Sequence, residues 1–401
     1  METLQSLYVK SNSFYKPGYC NHWITEKKPK TLQNLFLENA NKSYVFTDFR
    51  VSEIMNEFLF FKKNTVSLDD SSLNIYKNMN LEDFIQRLIT KRPLSFYGHT
   101  DKFFYVKDES LKQSVSSKQS VSSKQSVSSK QSVSSSDSFA GSVTKPFFTK
   151  YFGELGSSFP EKNLEFPEFL SNEEIKFCSY LQFSSPVTPL NDGMSPNNNK
   201  PSVHINNAIC IGTPYIRLDV ADKYNFDIVD TRNNTLNIEK FSQHIKFILE
   251  PFFKECEKRG SQENKEVYIH IDNLINMYGL KDKVSMGKQH YIFQNTINEI
   301  LETQSFKFIS IINLNNFLNK KVIKSEKVIF LNENPFEESP LKDNKLVIMM
   351  YPMGQNSIVG NEYWVNGNKT FESSAALCTQ ISQLQNPFIN KNISGHNIVL
   401  Y

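Results

Sequence analysis

Apolar residues recur at helical spacing in three early segments: TLQNLFLENANKS (31–43), VSEIMNEFLFFKK (51–63) and LEDFIQRLITK (81–91). Each is predicted to form a helix with one buried face. RPLSFYGHTDKFFYV (92–106) alternates instead and predicts strand, turn and strand, with 98–101 at the tip. Beyond a polar tract the two periods take turns. FLSNEEIKFCSYLQF (169–183) predicts a helix, with Ser171 as N-cap and Glu174 completing a capping box. VHINNAICIG (203–212) and TPYIRLDV (213–220) predict strands, and IEKFSQHIKFILEPFFKECEKRG (238–260) a long amphipathic helix stopped by Gly260. Strand EVYIHI, helix GKQHYIFQNTINEILETQ and strands FKFISII and KVIFL follow. The chain then runs through an apolar strand (345–351), a Gly/Asn loop and a helix opened by acidic and hydroxyl residues (372–384). Strands separated by helices predict an α/β fold with a mixed sheet flanked by helices.

One tract breaks this pattern. Residues 112–135 are four tandem copies of KQSVSS, with one Val per copy and no other apolar residue. Such a segment cannot offset the entropy of ordering its backbone, so a disordered Ser-rich insertion is expected. The organisation read from this is a helical and strand-containing region over 1–110, a low-complexity linker over 111–145 and the main domain over 146–401. The 33 Phe and 17 Tyr supply a substantial core. The 45 basic and 42 acidic residues are interleaved and leave a net charge of +3, which provides no nucleic-acid footprint. Five scattered cysteines point to a reducing cytosol. No apolar run approaches the roughly 20 residues that span a bilayer, so a soluble, cytosolic protein is expected.

Candidate chemistry gathers in three polar loops, 184–199, 332–340 and 352–362, which are expected to share one sheet edge. The last is the most informative. Gly354 and Gly360 bracket it, Glu362 stands at its lip, and a helix N-terminus follows. Free helix N–H groups and close backbone approach at glycine suit a phosphorylated ligand. Tyr97 and His99 in the 98–101 turn are further candidates, although a lone His in a turn is more often solvated.

FLSNEEIKFCSYLQFSSPVTPLNDG, the EPFF helix followed by EVYIHI, Asn334–Pro335, and GNEYW followed by AALCTQISQLQNPFIN together resemble the MavL-like family. That family includes Legionella effectors and eukaryotic relatives, with a macrodomain-like fold and removal of ADP-ribose from arginine side chains as the implied activity. Where its members carry a WDG tripeptide this chain has Pro352, Met353 and Gly354, so the acid is replaced by Met353. A second family acid falls on Ser373, beside Glu372, and the glycine-rich loop after the YIHI strand is here Asp272 to Asn276. The resemblance implies Glu362, Asp192 and Glu372 as the catalytic set. It implies a ligand lining of Ser185, Asn191, Gly193, Asn334, Pro335, Gly354, Asn356, Gly360, Asn361 and Tyr363. No metal or cofactor is expected, with ADP-ribose as ligand, and the partner would be an ADP-ribosylated protein met by a monomer. A bacterial effector of this kind would be secreted into a host cytoplasm. Two alternatives stay open: an ADP-ribose-binding module without turnover, favoured by Met353 and Ser373, and an ADP-ribosyltransferase using Tyr97, His99 and Glu362.

Overall fold

The computed structural model describes residues 38–39, 41–64, 75–90, 92–93, 169–170, 172–186, 208–215, 228–230, 235–273, 275, 283–317, 322–333, 335, 338–354 and 392–401. The KQSVSS copies and the predicted 372–384 helix lie outside them.

Eight strands form one sheet. They are β1 (Tyr44–Thr47), β4 (Gln182–Pro186), β5 (Ile209–Tyr215), β8 (Val267–Asp272), β9 (Ile309–Asn315), β10 (Val328–Ile329), β11 (Leu346–Gly354) and β12 (Val399–Leu400). The order across the sheet is β10-β9-β8-β11-β5-β4-β1-β12. Two short pairs, β2 (Arg92–Pro93) with β3 (Phe169–Leu170) and β6 (Val229–Asp230) with β7 (Thr235–Leu236), stand apart from it. β10, β9, β8, β11 and β5 are mutually parallel, and β1 pairs parallel with β12. β4 is antiparallel to both its neighbours, so it alone runs against the rest.

Helices cover both faces. On one side lie α1 (Phe49–Asn64), α2 (Leu81–Thr90) and α3 (Asn172–Cys178). Their Met55, Phe58, Phe84, Leu88 and Phe177 meet Val45, Phe183, Cys210, Val347 and Met349 of the sheet. On the other side lie α4 (Ile238–Glu263) and α5 (Lys283–Thr303). Phe241, Ile245, Leu249, Phe252, Phe293 and Ile297 pack there against Ile209, Ile211, Ile269, Ile271 and Ile348. The spacing of three and four residues in α4 is what aligns its apolar stripe with the sheet. Among the described residues no helix is long and apolar enough to cross a membrane.

The region before the KQSVSS copies is tied to the region after them by charge as well as by packing. Arg87 of α2 forks onto Glu174 of α3, with Nε to Oε1 at 2.6 Å and Nη2 to Oε2 at 2.9 Å. The two side chains are 6% and 0% exposed. β1 itself, from before the copies, sits inside the sheet between β4 and β12.

Several local expectations are corrected. Glu174 carries its carboxylate onto Arg87, while Ser171, the expected N-cap, lies outside the described residues. The helix predicted over 169–183 is only α3, because Ser179, Tyr180 and Leu181 close short turns on Lys176, Phe177 and Cys178 and the chain then extends as β4. Gln182 survives burial there by donating to the Ile248 carbonyl at 2.9 Å. The two strands predicted over 203–220 are described as one, β5. Gly260 does not stop α4; it lies within it, where an added Cβ would come within 2.5 Å of Val267 Cγ2 and 2.7 Å of Phe308 Cβ. Close packing on β8 demands the glycine, and Asn264 ends the helix instead at φ 50°, in the left-handed region.

Two stability predictions follow from this packing. Arg87→Met strands the Glu174 carboxylate without its counter-charge and is expected to cost about 3–5 kcal/mol in urea unfolding, while Arg87→Met with Glu174→Leu recovers most of it. His244 of α4 is buried against the Tyr180 ring, and neither ring nitrogen has a hydrogen-bond partner among the described residues. Burial, with Lys176 nearby, holds its pKa well below the ordinary value. The unfolded chain therefore binds a proton that the folded chain refuses, and stability falls as pH drops below about 6.5, by at most about 1.4 kcal/mol per pH unit. His244→Phe should flatten the dependence of unfolding free energy on pH between about 6.5 and 5.

Candidate functional site

Ligands of α/β folds favour the carboxyl ends of parallel strands, at points where neighbouring connections diverge. Met350 of β11 is in register with Ile271 of β8 and Ile211 of β5, so the three strands finish at one edge, in Asp272, Gly354 and Tyr215. β11 follows β10 in sequence yet is inserted between β8 and β5. That return marks the divergence.

The two-residue period of the strands makes this edge polar on one face. Val267, Ile269 and Ile271 of β8, with Ile312 and Leu314 of β9, point into the core under α4 and α5. Tyr268, His270 and Asp272 alternate with them, as do Asn313 and Asn315, and the register sets His270 against Asn313 and Asp272 against Asn315. Asp272 Oδ1 accepts from Asn315 Nδ2 at 2.6 Å and lies 3.2 Å from His270 Nε2. His270 has no exposed side-chain surface, whereas that of Asp272 is 35% exposed. Burial acts to raise the Asp272 pKa, but the bonds to His270 and Asn315 outweigh it and hold the carboxyl below its ordinary range. His270 Nδ1 has no partner among the described residues.

The chain beyond β10 closes over the end of β9. Leu331 N–H donates to Asn313 Oδ1 at 2.9 Å and Glu333 N–H to Asn315 Oδ1 at 3.1 Å. The Glu333 carboxylate then accepts from Tyr268 Oη and from Asn313 Nδ2 at 3.4 Å, and pairs with Lys342 Nζ at 3.5 Å. Burial and the Glu333 carboxylate both push the Tyr268 hydroxyl pKa up. The hydroxyl is thus fixed as a donor. Carboxylates held in this way can accept sugar hydroxyls or pair with a guanidinium. Among the described residues no group of three or more His, Cys, Asp or Glu is disposed to hold a metal ion.

The sequence-based candidates divide by position. Gly354 ends β11 at this edge, opposite Tyr215. Pro335, half-buried, follows Glu333 by two residues, so the 332–340 loop starts from the same edge. Ser185 does not. It lies on β4 opposite Cys210, is 6% exposed, and its hydroxyl is 2.8 Å from Ser43 Oγ. Because β4 runs in reverse, the chain leaves Pro186 and re-enters at Ile209 on the edge opposite Asp272 and Gly354. The 184–199 loop thus leaves the sheet from the edge opposite the other two, against the expectation of one shared exit edge, and residues 187–199 lie outside the described residues. Asp192 is six residues past Pro186, a reach of at most about 20 Å, roughly the length of β5 itself. Asn191, Asp192, Gly193, Asn334, Asn356, Gly360, Asn361, Glu362, Tyr363 and Glu372 lie outside the described residues.

His270, Asn313, Asn315 and Glu333 were not singled out by sequence reasoning. The signal was present in the alternation of YIHID and of SIINLN, whose polar positions share one face once the strands are extended to Asp272 and Asn315.

An α/β protein with a ligand edge at its strand ends is the class this geometry defines. The family described as ADP-ribosylhydrolase MavL-like matches residues 5–138 and 212–400, and the chain belongs to that family. It is also similar to the ADP-ribosylarginine hydrolase CG2909 of Drosophila melanogaster, at 26% identity over 165 residues. That alignment takes in 36% of this chain and 32% of the relative, so the chain spans about a third of the relative's length.

The β10 closure makes its own prediction. Glu333→Ala removes the acceptor of a part-buried tyrosine hydroxyl and should lower stability by about 1–3 kcal/mol, read as a fall in the thermal midpoint.

Proposed function

We propose that this chain hydrolyses the N-glycosidic bond joining ADP-ribose to an arginine side chain of a modified protein. The observation that carries the reading is the match to the MavL-like ADP-ribosylhydrolase family over residues 5–138 and 212–400. The arginine component draws its support from the similarity to a Drosophila protein named an ADP-ribosylarginine hydrolase. The polar edge formed by β8, β9 and the exit of β11 is compatible with it, since ribose hydroxyls and a guanidinium both seek carboxylates.

In this reading water adds to the anomeric carbon as the bond from that carbon to the guanidine nitrogen breaks. The bonding electrons leave with the nitrogen, which takes up a proton, while the attacking water gives one to a carboxylate base. Positive charge builds on the ribose ring during this step, and a nearby carboxylate stabilises it. We assign the base to Glu362, with Glu372 as its helper. Asp192 is the second helper. Gly354, Gly360, Asn361 and Tyr363 shape the loop around the ligand, with Asn334, Pro335 and Asn356 beside it. No metal or second cofactor enters the scheme, and the macromolecular partner is an ADP-ribosylated protein in a cytosolic compartment.

A second reading, binding without turnover, is favoured by Met353 and Ser373 at positions where the family carries acids. One assay separates the two. An arginine-ADP-ribosylated protein is incubated with the parent and with Glu362→Gln, and released ADP-ribose is measured. The expected outcome is turnover by the parent and a loss of at least about a hundredfold in the variant, with folding intact and ADP-ribose affinity within several-fold. Undiminished release by Glu362→Gln would sink the assignment of the base. A parent that binds ADP-ribose and releases none would make the protein a reader.

A further inference from the structure

We propose that the cleft between α4 and the turn before β9 binds a small molecule bearing a diphosphate group, on the edge of the sheet opposite the candidate site. The turn, over 304–308, leads into the first residue of β9, and the Phe308 carbonyl accepts from the N–H of Val267, the first residue of β8. The cleft therefore lies at the strand starts, about 20 Å, one strand length, from the polar ends at Asp272 and Asn315. This site stands independently of the proposed function.

The cleft encloses about 430 Å³, the size of a small-molecule site, and is lined by Lys254, Lys258 and Lys307. None of these lysines has a carboxylate partner among the described residues, whereas Lys42, Lys246, Lys324, Lys342 and Lys345 each pair with a glutamate. Lys254 and Lys258 are both half-buried and stand one turn apart on α4, a spacing at which like charges repel. Glu257, the acid in the lining, does not answer them. Its oxygens accept from the N–H groups of Lys307 at 2.6 Å, Phe308 at 3.0 Å and Ile309 at 3.1 Å. Lys327 Nζ, in turn, donates to the carbonyls of Phe306 at 2.9 Å and Ile309 at 2.8 Å. The turn is thus pinned through its amides and its carbonyls, and gives the cleft a rigid wall that loses little freedom when a ligand arrives.

Chemistry selects the anion. A cleft lined by one sign of charge concentrates its counter-ions. Carboxylates are best matched by the planar fork of arginine, and no arginine lines this cleft. Lysine is a compact charge with three donors, which suits the several oxygens of a phosphoryl group. Lys258 Nζ lies 4.8 Å from the centre of the Tyr44 ring and Lys307 Nζ 5.5 Å from that of Phe308, contacts that steady the ammonium groups without engaging their N–H donors. Cations contributed by two elements across one cavity suit two linked phosphates better than one.

The test is calorimetric titration of the full chain with inorganic pyrophosphate, beside succinate as a dicarboxylate. The parent is expected to bind pyrophosphate at least about tenfold more tightly than succinate, and less tightly as salt rises from about 50 to 200 mM. Lys254→Gln combined with Lys258→Gln should raise the Kd for pyrophosphate about tenfold or more, and Lys307→Gln alone about threefold or more. No binding by the parent, an unchanged Kd in these variants, or succinate bound as tightly would overturn the inference. Binding of polyglutamate but not of pyrophosphate would overturn it in favour of docking an acidic protein segment. Thermal denaturation checks that the paired variant folds, and Lys307→Gln, at an exposed position, gives the answer if it does not.

Discussion

The buried carboxylate of Glu255 is the point on which one end of the sheet is organised. It is fully inaccessible, and an isolated charge there would be prohibitive. Four groups meet it, three of them from distant parts of the chain. Tyr44 Oη of β1 donates at 2.8 Å, Ser184 Oγ of β4 at 2.5 Å and Arg259 Nε, one turn along α4, at 2.7 Å. Tyr401 Oη, beyond β12, completes the set. Arg259 spends its other donors on the Lys42 carbonyl and Ser184 Oγ. Burial, reinforced by Glu255, pushes both tyrosine hydroxyls up in pKa, so they remain donors. A slip of one residue in β1 or β4 would carry Tyr44 or Ser184 to the other face of the sheet. The network therefore specifies register as well as neighbours, and it fixes the reversed strand β4 between two strands of the opposite sense.

This accounts for what was and was not legible in the chain. Helices with a strong 3.6-residue period, over 51–63, 81–91 and 238–260, emerge within a few residues of expectation because one stripe of side chains decides them. β4 could not be read in the same way. Gln182, Ser184 and Ser185 are poor strand formers, and they are buried there only because Ile248, Glu255 and Ser43 answer them from other elements. Gly260 misled for a related reason: it looks like a helix stop, but its role is set by β8 packing across the helix. The candidate site was partly legible. The exits at Gly354 and Pro335 were anticipated, whereas the polar ladder needed the pairing of β8 with β9, which no local pattern supplies. The reversal of β4 likewise set the exit at Pro186 on the opposite edge, and direction within a sheet is a global property.

Comparison of the buried carboxylates separates structural from functional roles. Glu174 has both oxygens engaged by one guanidinium and no exposed surface, so nothing remains to offer a ligand. Glu255 is likewise occupied at both oxygens, by the tyrosines, Ser184 and Arg259. Both lie where segments from either side of the KQSVSS copies meet, and both serve to close the fold. Asp272 differs in every respect that matters. It stands at a strand end, two donors share one oxygen, and about a third of its side-chain surface stays exposed among the described residues. Glu333 is intermediate, with three partners and some exposure, and its role in holding the chain over β9 is sufficient to explain it. A buried charge whose hydrogen bonds are all internal stabilises a fold, whereas a charge at a strand end that keeps part of its surface exposed is not needed to close it.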